Sequence, residues 1–168
     1  MTSKEPSEGD VQALYMRLYR DAEDGGYHLN SDVNFTKDLV RGLLVNERRY
    51  GYPACPCRLS AGKKDDDQDI ICPCDYRDQD VEEYDACYCG LYVSEDVFNG
   101  QKELGPVPER RLTPEERMKV EPEKLATIPT LSLPVWRCRV CGYLCARETP
   151  PAVCPICKAK KDRFERFI

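Results

Sequence analysis

Ten of the eleven cysteines in this 168-residue chain fall into five close pairs, and no other feature limits its fold so tightly. Three are Cys-X-Cys pairs: Cys55-Pro56-Cys57, Cys72-Pro73-Cys74 and Cys87-Tyr88-Cys89, with 14 and then 12 residues between them. Cysteines at i and i+2 of an extended chain point to the same side. A proline between them fixes φ and removes a competing N–H. Each short pair can therefore hold two sulfurs close to one metal centre. The other two pairs are Cys-X2-Cys knuckles, Cys138–Cys141 and Cys154–Cys157, again 12 residues apart. Cysteine in this quantity means disulfides, metal sites or both. The opening MTSKEPSEGD is polar and acidic, with no apolar core of a secretory signal. No stretch approaches the roughly 20 apolar residues of a membrane span. A cytoplasmic chain is expected, with thiols kept reduced or metal-bound. Metal is thus the first reading of most of these cysteines.

The three short pairs supply six sulfurs, two more than a four-cysteine iron–sulfur cluster needs. The surplus leaves one redox pair beside a cluster. The alternative is a zinc-bound scaffold, although zinc sites usually draw on Cys-X2-Cys knuckles. Cys-Pro-Cys, Cys-Pro-Cys and Cys-X-Cys in this order resemble the catalytic subunit of ferredoxin:thioredoxin reductase over about residues 10–98. The resemblance implies a [4Fe–4S] cluster held by Cys55, Cys72, Cys74 and Cys87, with Cys57 and Cys89 as the active-site disulfide. In that family the first of these two attacks the substrate disulfide and the second stays near the cluster. Ferredoxin would supply single electrons, and thioredoxin- or glutaredoxin-like proteins would receive two. The loops between the pairs differ in length from those of the best-known members. Tyr88 stands where those members have a histidine, so proton handling differs here: tyrosine, with a pKa near 10, cannot shuttle protons near neutrality as histidine does. The one histidine, His28, is remote in sequence and reads as structural. Arg58, next to Cys57, either favours a thiolate there electrostatically or is a solvated surface arginine.

The two knuckles bring four thiolates into a tetrahedron. Gly142 permits the positive φ that aims backbone N–H groups at sulfur. Cys-X2-Cys-Gly-Tyr at the start and Cys-Pro-X-Cys at the end resemble rubredoxin, and the short gap resembles the domain that ends rubrerythrins. Trp136, Tyr143 and Phe164 would form a small aromatic core. The resemblance implies one iron on Cys138, Cys141, Cys154 and Cys157, with zinc as the alternative for the same S4 geometry. So small a module needs its metal for stability. Cys145 belongs to no pair and reads as a free thiol.

Between these constellations the chain divides into three: a catalytic domain over 1–100, a Pro-rich linker over 101–134 and a rubredoxin-like domain over 135–168. Val11, Leu14, Tyr15 and Leu18 lie at helical spacing over 10–22, with Ser7 and Asp10 as a capping pair and Gly25-Gly26 as the stop. A second amphipathic helix spans about 31–49, with Phe35, Leu39, Leu43 and Leu44 on one face, stopped by Gly51 and Pro53. The cysteines should then sit on loops packed against these helices. The linker carries Pro106, Pro108, Pro114, Pro122, Pro129 and Pro134, with one short helix expected near 114–119. The fold class that follows is mainly α: a small helical iron–sulfur domain plus a small β-rich metal domain.

Charge is uneven. Residues 1–100 carry 11 Lys+Arg against 21 Asp+Glu, while residues 135–168 carry 8 against 3. The plain reading is solubility. The sharper one is a basic tail docked on an acidic surface, its own or a donor's. Nucleic acid and membrane partners are not expected. The leading function is a ferredoxin-dependent disulfide reductase, suited to an anaerobic host. The alternatives are an electron carrier without disulfide chemistry and a zinc-stabilised interaction module. A pure carrier has no need of Cys57 and Cys89.

Overall fold

The computed structural model describes residues 5–113, 115–116 and 132–168. Helix α1 covers Glu8–Gly25, and the capping box expected from Ser7 and Asp10 is formed in both directions. It buries Val11, Leu14 and Ala22. Helix α2 covers Val33–Tyr50 and starts on Asp32, whose carboxylate accepts from the N–H groups of Asn34 and Phe35. Its buried face is Thr36, Leu39, Val40 and Leu43. Phe35, expected on that face, is 38% exposed instead. It sits in the first helical turn, displaced toward Gly90 and Leu104. α1 and α2 pack on each other, and their core also takes in Leu29, Cys87, Leu91 and Tyr92.

After α2 the chain turns irregular and carries the three short cysteine pairs on loops, as expected. A 3₁₀ turn at Gln68–Ile70 and a helix α3, Arg77–Tyr84, lie between them. Helix α3 has few apolar residues and buries Arg77 and Asp80, so the apolar periodicity used for α1 and α2 does not reveal it. Strand β1 (His28–Leu29) pairs antiparallel with β2 (Tyr92–Val93), tying the exit of α1 to the chain just after the third cysteine pair. A short helix α4, Glu95–Phe98, closes this part, and the His28 ring stacks on Phe98 at 4.8 Å.

One contact explains a glycine in the middle of α2. A Cβ at Gly42 would stand 2.7 Å from Cβ of Pro56, so the first Cys-Pro-Cys loop rests directly on the helix backbone. Gly42→Ala would add about 1 kcal/mol of helix propensity at an open site. Here overpacking is expected to win, at about 1–3 kcal/mol. A lower melting temperature is therefore expected, and an unchanged or raised one would show that Pro56 is not seated there.

Residues 103–113 have no regular secondary structure, as suits a linker, yet they are bound to the N-terminal part. Val107 packs against the cluster of Ala86, Val93 and Val97. Arg110 Nε donates to Asp80 at 2.6 Å, and its Nη2 to Glu83. Arg111 donates through Nε to Asp69 at 2.8 Å, through Nη1 to the Leu59 carbonyl at 2.6 Å and through Nη2 to Asp67 at 3.2 Å. Of the short helix expected near 114–119, only Glu115 and Glu116 are described. Both are helical, with Thr113 and Glu116 capping each other. Ending the chain after Gly100 removes Arg111 from Asp67 and leaves Asp80 only Arg58 of its two cations. This is expected to cost about 3–5 kcal/mol more than ending the chain after Thr113. Denaturant midpoints of the two truncations test this.

The C-terminal part is a three-stranded antiparallel sheet in the order β4-β3-β5, with β3 at Val135–Cys138, β4 at Leu144–Ala146 and β5 at Phe164–Arg166. Its core holds Val140, Ala159 and Phe164 with Cys138, Cys154 and Cys157, and Trp136, Cys141 and Tyr143 pack against it. This is the small aromatic core that the sequence suggests. Among the described residues no helix is long and apolar enough to cross a membrane.

Candidate metal and redox centres

The C-terminal knuckles converge. The Sγ atoms of Cys138, Cys141, Cys154 and Cys157 all lie within 4.8 Å of one another, with Cys138–Cys157 and Cys141–Cys154 both at 3.6 Å. A tetrahedral ion with bonds of about 2.3 Å to sulfur sets its ligands about 3.8 Å apart, so the spacing suits one S4 ion. The two knuckles are built alike. After Cys141, Gly142 takes φ 73° and donates to the Cys138 carbonyl at 2.9 Å; after Cys157, Lys158 takes φ 60° and donates to the Cys154 carbonyl at 3.1 Å. Gly142 has the positive φ expected of it. Lys158 repeats the turn with a side chain, which the sequence alone does not signal. Hydrogen bonds among the crowded thiols push Cys138 down and Cys157 up. A metal binding this set would displace the protons of all four thiols. Cys145 lies on β4 opposite Trp136, outside the four-sulfur group.

The N-terminal cysteines are arranged differently. Cys55, Cys72, Cys74, Cys87 and Cys89 line one small cavity, together with Pro56, Arg77, Leu91 and Tyr92. Cys57 is absent from this lining and is exposed, whereas Cys55, Cys74 and Cys87 are buried. Cys87 Sγ lies 3.6 Å from Cys89 Sγ and accepts the Tyr92 N–H at 3.3 Å. Cys89 sits at the meeting point: its thiol is hydrogen-bonded to Cys55, Cys57 and Cys87, which with burial pushes it well up. Its hydrogen bond brings Cys57 down to about 7 against the opposing effect of burial, and the charge of Arg58 adds a smaller pull. Burial raises Cys72, and raises Cys74 to about 12.

Two buried arginines flank this cavity. Arg77 lies over the Tyr27 ring at 3.6 Å and pairs with Asp78 at 2.6 Å. Arg58 is 5% exposed, so the reading of a solvated surface arginine is wrong. Its chain neighbour Cys57 reaches solvent, but its own side chain turns inward and Nη1 donates to Cys74 Sγ at 3.7 Å. A cluster bound by four thiolates carries net negative charge. A cysteine-lined cavity with two buried cations beside it therefore fits such a group.

The two constellations adjoin. Arg139 pairs with Asp75 at 2.6 Å, Arg163 also pairs with Asp75, and Arg163 Nη1 donates to the Ile71 carbonyl at 2.6 Å. Asp75 follows Cys74 and Arg139 follows Cys138, so the bridge joins residues next to a sulfur on both sides. A Cβ at Gly25 would meet the Ile156 carbonyl at 2.6 Å, which seats the second knuckle on the end of α1. The basic tail is thus docked on the acidic N-terminal part. Because Arg163 and Asp75 are nearly excluded from water, the contact should resist salt. Arg163→Ala is expected to loosen it, raising proteolysis near residues 132–168 while leaving metal in both centres. Unchanged cleavage would show the bridge to be dispensable.

The profile of the ferredoxin thioredoxin reductase catalytic beta chain family matches residues 4–117. That of the rubrerythrin, rubredoxin-like domain matches residues 136–165. The chain is 29% identical over 94 residues to the chloroplastic ferredoxin-thioredoxin reductase catalytic chain of Arabidopsis thaliana, covering 55% of this chain and 62% of that one. It is 29% identical over 68 residues to the ferredoxin-thioredoxin reductase catalytic chain of Guillardia theta, covering 39% of this chain and 63% of the relative. The matches thus span less than two thirds of these relatives.

Proposed function

Since the chain belongs to the family of ferredoxin thioredoxin reductase catalytic beta chains, we propose that it is an oxidoreductase that reduces protein disulfides with electrons from a ferredoxin. The observation that carries this is that Cys57 alone of the six is exposed, while it stays hydrogen-bonded to Cys89. One sulfur is exposed, while the others close around a cavity. Four of the enclosed cysteines, Cys55, Cys72, Cys74 and Cys87, would hold a [4Fe–4S] cluster, and Cys89 would lie between it and Cys57. Bound there, the cluster supplies electrons singly to chemistry that needs them in pairs.

The protein's own groups account for the rest. The Cys57 thiolate, exposed and favoured by its hydrogen bond from Cys89, attacks one sulfur of a partner's disulfide and expels the other as a thiolate. Cys89 then attacks Cys57, releasing the partner's second thiolate and leaving a Cys57–Cys89 disulfide. Two electrons return that disulfide to two thiolates, and two protons complete the partner's dithiol. Thioredoxin-type proteins are the proposed substrates, with glutaredoxin-like proteins as the wider class and a reducing, low-oxygen compartment as the setting.

At the C-terminus we assign one iron to Cys138, Cys141, Cys154 and Cys157. We divide the chain into units over 1–100, 101–134 and 135–168, with the described residues 103–113 bound to the first. Anaerobically purified protein should contain about five irons and about four acid-labile sulfides per chain. Cys57→Ser should keep that content yet lose reduction of oxidised thioredoxin by reduced ferredoxin. Stoichiometric zinc without sulfide would overturn both iron assignments. Loss of the cluster in Cys57→Ser, with retention in Cys55→Ser, would reverse the roles within the first pair.

The disulfide chemistry needs no cysteine beyond Cys89, so a chain ending after Thr113 is expected to retain the activity, with the C-terminal iron acting as a second outlet for electrons. Failure of that truncation to reduce substrate, with cluster and fold intact, would make the C-terminal iron an obligatory relay.

A further inference from the structure

A guanidinium buried beside sulfur needs a reason, because removing a charge from water costs several kcal/mol unless partners compensate it. Arg58 has partners, but they satisfy it incompletely. Its central carbon lies 4.4 Å from the centre of the Tyr76 ring and 4.7 Å from that of Tyr88. The two rings confine a planar cation that might otherwise swing toward water. Nη2 stands 3.5 Å from Asp80 and 3.1 Å from Glu109, within reach of charge pairing. Yet Nε and Nη2 make no hydrogen bond among the described residues. Asp80 is itself shared, since it also takes Arg110 at 2.6 Å. Glu109 has a side chain 38% exposed, so water screens part of its charge. A residual positive charge is therefore left facing Cys74, toward which Nη1 points at 3.7 Å.

Charge and hydrogen bonds delivered to a ligand sulfur tune the metal that it holds. Donors and cations near the sulfur favour the state carrying the extra electron. We propose that Arg58 is a positioning residue that raises the reduction potential of the centre held by Cys55, Cys72, Cys74 and Cys87, and that Glu109 sets how much of its charge the centre feels. This rests on the assignment of Cys74 as a cluster ligand. It also gives a role to the segment over 103–113. That segment brings Glu109 to Arg58 and Arg111 to the Leu59 carbonyl, so it touches both residues that follow Cys57.

The test is a potentiometric titration of the full chain, purified anaerobically, with the cluster followed by absorbance and electron paramagnetic resonance. Glu109→Gln removes a counter-charge at the surface and should shift the potential upward. Arg58→Gln removes the cation and should shift it downward. Arg58→Lys, which keeps the charge, should lie closer to the parent than Arg58→Gln does. A residue that merely supported the fold would not give opposite signs for two partners of one ion pair. A potential that is unchanged or lowered in Glu109→Gln overturns the proposal, as does an unchanged potential in an Arg58→Gln variant that keeps its iron and sulfide. Should Arg58→Gln fail to retain the cluster, Glu109→Gln decides alone. A parent protein without iron and sulfide would instead refute the cluster assignment itself.

Discussion

Thiolates gathered into a small volume repel one another and are poorly solvated, and the N-terminal unit is organised around offsetting that repulsion. Arg58 and Arg77 are turned inward beside the cysteine-lined cavity, each stacked on aromatic rings. Buried arginines need anions in turn, and Asp78 and Asp80 supply them from α3. Asp67, Asp69 and Asp80 then receive Arg110 and Arg111 from the segment beyond Gly100, and Asp75 receives Arg139 and Arg163 from the C-terminal part. Sulfur, arginine, aspartate and a second arginine form successive layers. The outermost layer recruits the rest of the chain to the site.

This layering changes how the acidic surplus of residues 1–100 is understood. Surface solubility explains residues such as Asp65 and Glu82, but Asp67 and Asp80 have fully buried side chains. Asp67 is held down to about 2: burial opposes its charge, but hydrogen bonds from Ser60, the Ala61 N–H, Tyr52 and Arg111 outweigh it. Asp80 is pushed up by burial, only partly countered by Arg110 and Arg58. The Asp67 loop thus holds a carboxylate fixed as an anion and α3 holds one whose charge burial opposes, both close to the residues that follow Cys57.

Features that depend on neighbours in sequence were legible from the residues alone. The Ser7–Asp10 capping box, the stop of α2 at Gly51, the positive φ of Gly142 and the convergence of the four knuckle cysteines all follow from spacings of a few residues. The grouping of five of the six N-terminal cysteines was anticipated only through their resemblance to a family, because periodicity says nothing about how loops close in space. Features set by contacts across the chain were hidden. The direction of Arg58 depends on Cys74, Asp80 and Glu109, which lie 16, 22 and 51 positions away. Helix α3 buries an arginine and an aspartate where a pattern of apolar residues would be sought. Phe35 fits the helical period of α2, yet covers Gly90 instead of entering the core.

The bridge between the two parts follows from the same electrostatics. A tethered module with a loose surface contact would place its ion pairs at the rim, where water and salt screen them. Here Arg163 reaches through to a backbone carbonyl next to Cys72, and its guanidinium shares Asp75 with Arg139. Burial pushes the Asp75 carboxyl up, while the two arginines draw it down. Its negative charge is thus maintained chiefly by the neighbouring part of the chain. Separating the parts would expose Asp75 and leave Arg163 to be resolvated, while joining them completes both. The second and fourth cysteine pairs, though far apart in sequence, are consequently held at a distance fixed by one carboxylate and two guanidinium groups. The bridge is anchored to residues adjoining sulfur on both sides.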